Sequence, residues 1–381
     1  MVRTDMSLLP AFAKPVRGQP DPVYMRGFTL IELMIGMAVG LISTLAITQI
    51  MLSSESQKRM ATSGSDAQVS GLLAITTLRQ NIQMAGYGFA TESTAVGCPL
   101  EANYNGAAIA GFPANLVPVV ITDGVNGAPD SIRVLFSTKD SFSVPVRIIP
   151  PGYDPASASF NTAFPVASVR GIANGDLMVA ITDSTVNCQV FQVTADPGGL
   201  YQADRGVSNW NLAGFPSSTY GDGTYLINLG RLSDITYTVS ALGTLQANTF
   251  ALSATSVPSY SGAADIFGNT VNLQAYYGKD TDGDGAIDTW DVVLPTSNAL
   301  WKQVLAVRVA IVSRSSQYEK EEVTQANLLW DVGANSTIAG AATCGSSKCL
   351  TLKIDGLADW KHYRYKQVDS VIPLRNMIWM S

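Results

Sequence analysis

The chain has 381 residues, 46% of them hydrophobic and 14% charged, with 24 Lys and Arg against 30 Asp and Glu for a formal charge of −6. An acidic chain of this kind lacks the basic surface that nucleic acid requires, so no nucleic acid partner is indicated. The only histidine is His362, and neither a phosphate-binding glycine loop nor a G-x-S-x-G elbow is present, so the chain reads as a non-enzyme with His362 as a surface residue.

Residues 1–27 read as a polar leader. Arg3, Lys14, Arg17 and Arg26 stand there against Asp5 and Asp21, and Pro10, Pro15, Pro20 and Pro22 argue against a folded element. Its removal would leave 20 bases and 28 acids, a charge of −8. From Phe28 to Leu52 the only ionisable side chain is Glu32 and there is no proline. At about 1.5 Å per residue this stretch is long enough to cross a bilayer as a helix, so residues 28–52 are predicted to span a membrane. The positive leader would stay in the cytoplasm and direct the remainder outward. The small residue Gly27 precedes the apolar run and no Ala-x-Ala site follows it, which is the reverse of an ordinary secretory signal, so the span is predicted to be retained. A carboxylate at Glu32 costs on the order of a few kcal/mol in hydrocarbon and therefore calls for a partner or a task.

Residues 53–86 continue the helix amphipathically. Leu72, Ile75, Leu78 and Ile82 fall at helical spacing and are expected to face a sheet, Gly64 and Gly71 weaken the helix locally, and Gly86-Tyr87-Gly88 stops it. Residues 87–381 break into short apolar runs between Gly, Pro, Asn and Asp. Strands are predicted at Ser131–Ser137, Asp176–Thr182, Cys188–Thr194, Thr224–Leu229, Ile235–Ser240, Val271–Tyr277 and Val304–Ser313, forming an antiparallel meander. The Pro-, Ser- and Ala-rich stretch Val144–Ala167 reads as a long loop. The predicted fold class is α+β, with a long N-terminal helix packed on a β-rich antiparallel C-terminal domain.

Four cysteines fall in the part expected outside the cytoplasm, where disulfides persist, and three pairings are possible. The run Cys344-Gly-Ser-Ser-Lys-Cys349 favours a local ring, which leaves Cys98 with Cys188. A single C-x4-C without histidines nearby is a poor zinc set. Residues 280–291, Asp-Thr-Asp-Gly-Asp-Gly-Ala-Ile-Asp-Thr-Trp-Asp, look like an EF-hand-type calcium loop. Asp280, Asp282, Asp284, Asp288 and Asp291 offer carboxylates at loop positions one, three, five, nine and twelve, Gly285 permits the sharp turn, and Ala286 offers its carbonyl. Asp291 replaces the usual bidentate glutamate, and the preceding segment reads as a strand rather than a helix. The expected cofactor is a structural calcium that orders a hairpin.

The run Gly27-Phe28-Thr29-Leu30-Ile31-Glu32 resembles the class III signal of type IV pilins and type II secretion pseudopilins. That resemblance implies a prepilin peptidase that cuts between Gly27 and Phe28 and methylates the new Phe28 amine. It also implies that Glu32 attracts this amine on a neighbouring subunit and so sets the axial stagger during assembly. Three further segments, Leu78–Gly88, Val307–Arg314 and Val371–Asn376, resemble the PilW group of type IV pilus minor pilins, whereas Gly106–Gly268 resembles no particular family. The resemblance implies a pilin-like subunit that primes assembly of the filament with other minor pilins and the major pilin, near the tip, and is incorporated in the pilus. A type II secretion pseudopilin of the J type and a calcium-dependent pilus-borne adhesin are the alternatives.

Overall fold

A computed structural model describes residues 27–92, 94–140, 143–182, 187–252 and 257–378. Of the predicted leader only Gly27 falls among them. One helix, Leu30–Met84, runs through both the predicted span and its amphipathic continuation. The chain divides into two compact units, residues 1–59 and residues 60–381.

In the first unit the helix exposes its apolar side chains all round, including Leu30, Ile31, Leu41, Ile42 and Ile50. It is long and apolar enough to cross a membrane. A helix that is hydrophobic on every side gains nothing by packing one stripe on a sheet, and its natural surroundings are lipid or other apolar helices.

In the second unit the helix lies on a four-stranded antiparallel sheet ordered Thr289–Asp291, Thr270–Lys279, Val304–Arg314, Tyr365–Pro373. Ala74, Ile75, Leu78 and Ile82 are buried on that face. Leu72, expected there too, is 45% exposed. Gly71 takes the contact position instead: a Cβ there would stand 3.0 Å from Ser313 Oγ and 3.1 Å from Val368 Cγ2, so the helix backbone itself meets the sheet and Leu72 is turned aside.

All seven predicted strands are present within a residue or two at their ends. They do not form one meander. Ser131–Phe136 and Ser233–Val239 sit in a sheet with Val119–Thr122, Thr244–Ala251, Ser259–Tyr260 and Ala264–Gly268. Leu177–Ile181, Cys188–Gln192 and Tyr225–Gly230 belong to a second sheet, in which Leu100–Tyr104 pairs in parallel with Cys188–Gln192. A small sheet of Leu328–Asp331, Ser347–Leu352 and Ala342–Cys344 lies apart in the topology. The buried Tyr277 ties two of these sheets together: its phenol accepts from Ile121 N–H at 2.8 Å and donates to the Val119 carbonyl at 3.2 Å.

The segment Val144–Ala167 is not a simple loop. It holds two short strands, Val146–Arg147 and Ala163–Pro165, and supplies Ile148, Tyr153, Phe164 and Val166 to a second hydrophobic core. Tyr153, Phe164 and Phe191 stack there with ring centroids 4.1 and 4.5 Å apart. Burial of large aromatic faces gives this segment a core despite its Pro- and Ser-rich composition.

Candidate functional site

The N-terminal site is built on the start of the helix. Thr29 precedes the first helical residue, and its Oγ1 accepts from Glu32 N–H at 3.2 Å. This satisfies one of the helix's free N–H groups, and Thr29-x-x-Glu32 has the spacing of a capping box, a signal present in the sequence but not used in reading it. Phe28 and Glu32 are exposed at this end. The carboxylate of Glu32 stands in the first turn, where the helix dipole favours negative charge. Cleavage before Phe28 would create its amine one residue ahead of that cap. Gly36 and Gly40 lie open one turn apart, with no heavy atom within 4 Å of where a Cβ would sit.

The acidic loop joins the strands Thr270–Lys279 and Thr289–Asp291, whose register pairs Lys279 with Thr289. Asp280 is almost fully buried and its two oxygens accept from Gly283 N–H at 2.7 Å and Gly285 N–H at 2.8 Å. Gly283 and Gly285 have φ of 82° and 86°, a conformation that favours glycine. Oxygens of Asp280, Asp282 and Asp288 lie within 4.8 Å of one another. The Thr281 N–H and hydroxyl both donate to Asp288 and hold its carboxyl below the usual range. Asp284 accepts from Ala286 N–H at 2.7 Å. Asp291, the sixth predicted ligand, is engaged elsewhere: Lys279 Nζ donates to it at 2.7 Å and Val293 N–H at 2.8 Å. A cavity of about 530 Å³ lies over Asp280–Gly285, bordered also by Lys302 and Gln303. The three grouped carboxylates can contribute to a hard-cation site.

Both disulfides pair as the Cys344–Cys349 spacing suggested. Cys98 and Cys188, 90 residues apart, are fully buried, and Cys344–Cys349 closes one hairpin. His362 is half-buried, stacked on Tyr318 at 4.8 Å, with Nδ1 2.9 Å from the Glu319 carbonyl.

The three C-terminal segments singled out in the sequence converge in space. Leu78 and Ile82 of the helix end share one hydrophobic core with Val307, Val309 and Ile311 of the second segment. Asn376, just after the terminal strand, donates from Nδ2 to the Ala85 carbonyl at 3.0 Å and closes the helix C-terminus.

A prepilin-type signal on a membrane-length helix, followed by an antiparallel β-rich domain that holds the second half of that helix, is the arrangement the resemblance to pilins leads one to expect. Comparison with known families gives two matches. The Prokaryotic N-terminal methylation motif covers residues 24–48, and Type IV Pilus-assembly protein W covers residues 236–376, somewhat over a third of the chain. Together they support a type IV pilus minor pilin of the PilW group, a component of pilus assembly. The second match begins inside Gly106–Gly268, so part of that stretch has a family counterpart after all. The prepilin motif implies processing by prepilin peptidase and assembly with other pilins. No curated protein and no solved structure matches the chain.

Proposed function

We propose that this chain is a structural subunit, not an enzyme, anchored in the inner membrane with residues 60–381 in the periplasm until it enters the pilus. Prepilin peptidase removes residues 1–27, and the methylated amine of Phe28 pairs with Glu32 of an adjoining subunit. The chain then primes the filament with other minor pilins and the major pilin, near the tip. The observation that carries this reading is the exposed apolar helix that starts at Leu30, two residues after Phe28, with Glu32 as its only charge before Glu55. In a medium of low dielectric a lone carboxylate and an amine attract strongly, so a misplaced neighbour is discriminated against.

Deletion of the gene, with pili counted by electron microscopy and type II secreted activity assayed in parallel, tests the assignment. Loss of pili with secretion intact, restored by complementation, is the expected result; intact pili with failed secretion would make it a pseudopilin. Glu32→Ala is expected to be processed normally but to fail to restore pili, and normal piliation would overturn the pairing.

We further propose that the Asp280–Asp288 loop holds a structural calcium through Asp280, Asp282 and Asp288, with Asp284 and the Ala286 carbonyl adjacent and Asp291 held by Lys279. The support is the donor set: hard oxygens, several of them charged, on a turn that glycine allows. Titration of the full chain in detergent with calcium chloride, followed by calorimetry, is expected to show binding that Asp282→Asn weakens. Absence of heat at millimolar calcium would remove the site.

A further inference from the structure

Away from both sites, three side chains from distant segments meet in the interior. Lys139 follows the strand Ser131–Phe136, Asp176 precedes Leu177–Ile181, and Asn228 lies in Tyr225–Gly230. Lys139 Nζ donates to Asp176 Oδ2 at 3.0 Å and to Oδ1 at 3.2 Å. Asn228 Nδ2 donates to that same Asp176 Oδ2 at 2.8 Å and to the Gly171 carbonyl at 2.9 Å. The amine and the amide therefore share one acceptor oxygen. Asn228 is 2% exposed, and the side chains of Lys139 and Asp176 are 20% and 10% exposed.

The surroundings hold this group in one arrangement. Gly230 N–H donates to Asn228 Oδ1 at 2.8 Å, so the amide carbonyl is already polarised by a backbone donor. Ala173 N–H donates to Asp176 Oδ2 at 2.9 Å, and the Asn228 carbonyl accepts from the Ser137 and Ser143 hydroxyls. The strand register shifts between Asn228 and Gly230, and Gly230 has φ of 60°. A Cβ at Gly230 would come within 3.0 Å of Lys139 Cδ, so this bulge and its glycine make the room in which the lysine stem runs.

We propose that Lys139 and Asn228 join in an intramolecular isopeptide bond, formed by the chain itself with Asp176 as the catalytic acid and base. The ammonium of Lys139, which donates to both oxygens of Asp176, can pass a proton along that hydrogen bond to give a neutral amine and a neutral acid. The Nζ lone pair attacks Asn228 Cγ, and the oxyanion that forms on Oδ1 is stabilised by Gly230 N–H. The carbonyl re-forms as the Cγ–Nδ2 bond breaks. Asp176 delivers its proton to the leaving nitrogen, then takes up the extra proton of the attacking nitrogen and passes it to the departing ammonia. One C–N bond is made and one is broken, ammonia departs and becomes ammonium in water, and Asp176 is left as the carboxylate. No oxidant, metal or second substrate is consumed. Positioning of amine, amide and carboxyl in one fixed cluster supplies what a bimolecular aminolysis lacks. The crosslink would interleave with Cys98–Cys188, because Lys139 lies inside that disulfide loop and Asn228 beyond it.

Intact-mass measurement of the full chain, purified in detergent from cells that export it, tests this directly. The expected mass is lower by one ammonia than that of the processed sequence with both disulfides. A tryptic digest should contain a branched peptide carrying Lys139 and Asn228, with no cleavage after Lys139. Lys139→Arg keeps the charge beside Asp176 but is not expected to form the bond, and should show the full mass with an unchanged circular dichroism spectrum; Asp176→Ala should likewise keep its ammonia. A full intact mass for the unaltered chain, with ordinary cleavage after Lys139, would overturn the proposal, as would an ammonia loss that maps to another residue.

Discussion

Asp130 shows how much one buried side chain can depend on its surroundings. It is 2% exposed, its two oxygens accept from Gly124 N–H at 2.8 Å and Ala275 N–H at 2.7 Å, and its own N–H donates to Leu273. It therefore fastens the turn before Ser131–Phe136 to the strand Thr270–Lys279. Burial pushes its carboxyl up to about 7, although both backbone donors pull the other way, and nearby Asp123 adds to the rise. An ordinary unfolded carboxyl titrates near about 3.9. Because the folded value is the higher one, this group's contribution is fully present below the unfolded value and is lost as pH rises toward and through 7. The urea midpoint of the protein is expected to fall between pH 5 and pH 8, by an amount equivalent to on the order of 2 kcal/mol. Asp130→Asn does not titrate, so its midpoint should fall less over the same range. Comparison with the variant separates Asp130 from every other group that titrates there, and equal slopes would refute the assignment.

At the scale of elements, two glycines in one helix make opposite demands. Gly64 has no heavy atom within 4 Å of where a Cβ would stand, so it contributes only the backbone freedom that weakens a helix. Gly64→Ala is expected to stabilise the protein by about 0.5–1 kcal/mol. Gly71 stands against Ser313 and Val368, and Gly71→Leu should destabilise by about 1–3 kcal/mol through overpacking of the helix–sheet contact. Thermal unfolding of the two variants in the same detergent checks both signs, and a stabilising Gly71→Leu would mean that the helix does not bear on the sheet. The contrast also marks what could be read from the sequence. Periodicity located the helix, its end at Gly86 and seven strands, because each is a local pattern of apolar residues and breakers. It placed Leu72 on the wrong face because Gly71 carries no apolar signal, although it makes the closest contact. Strands of two or three residues such as Val146–Arg147 have no period to detect, and the parallel pairing of Leu100–Tyr104 with Cys188–Gln192 joins segments too far apart for any local signal. The N-terminal methylation motif was legible because it is one contiguous run. In the acidic loop the spacing pointed to Asp291, but the neighbouring strand position Lys279 takes that carboxylate, and only the folded hairpin shows it.

Across the whole molecule the two disulfides act on different distances. Cys98 follows the end of the long helix, and Cys188 opens a strand that lies outside the residues matched by the pilus-assembly family. Their bond closes a loop of 90 residues in the unfolded chain, whereas Cys344–Cys349 spans only 5 and bridges a hairpin already held by strand pairing. In the chain-entropy account a loop near a hundred residues restricts the unfolded state by about 4–5 kcal/mol, and a ring of a few residues by about 2 kcal/mol. The buried thiols left by reduction of the first pair would also sit in the main core, where Cys98 and Cys188 are fully enclosed. Urea unfolding can be followed by tryptophan fluorescence, since Trp210, Trp301 and Trp330 are all buried in the folded state. The Cys98→Ser, Cys188→Ser double variant is expected to lose about 2–5 kcal/mol, and the Cys344→Ser, Cys349→Ser variant about 2 kcal/mol or less. Equal losses would show that the hairpin ring holds more than its own loop. The same ordering predicts where the protein can mature: in a reducing compartment the long-range bond is the one whose absence frees the larger loop of the unfolded chain. Assembly-competent protein should therefore depend on oxidation of Cys98–Cys188 more than on that of Cys344–Cys349.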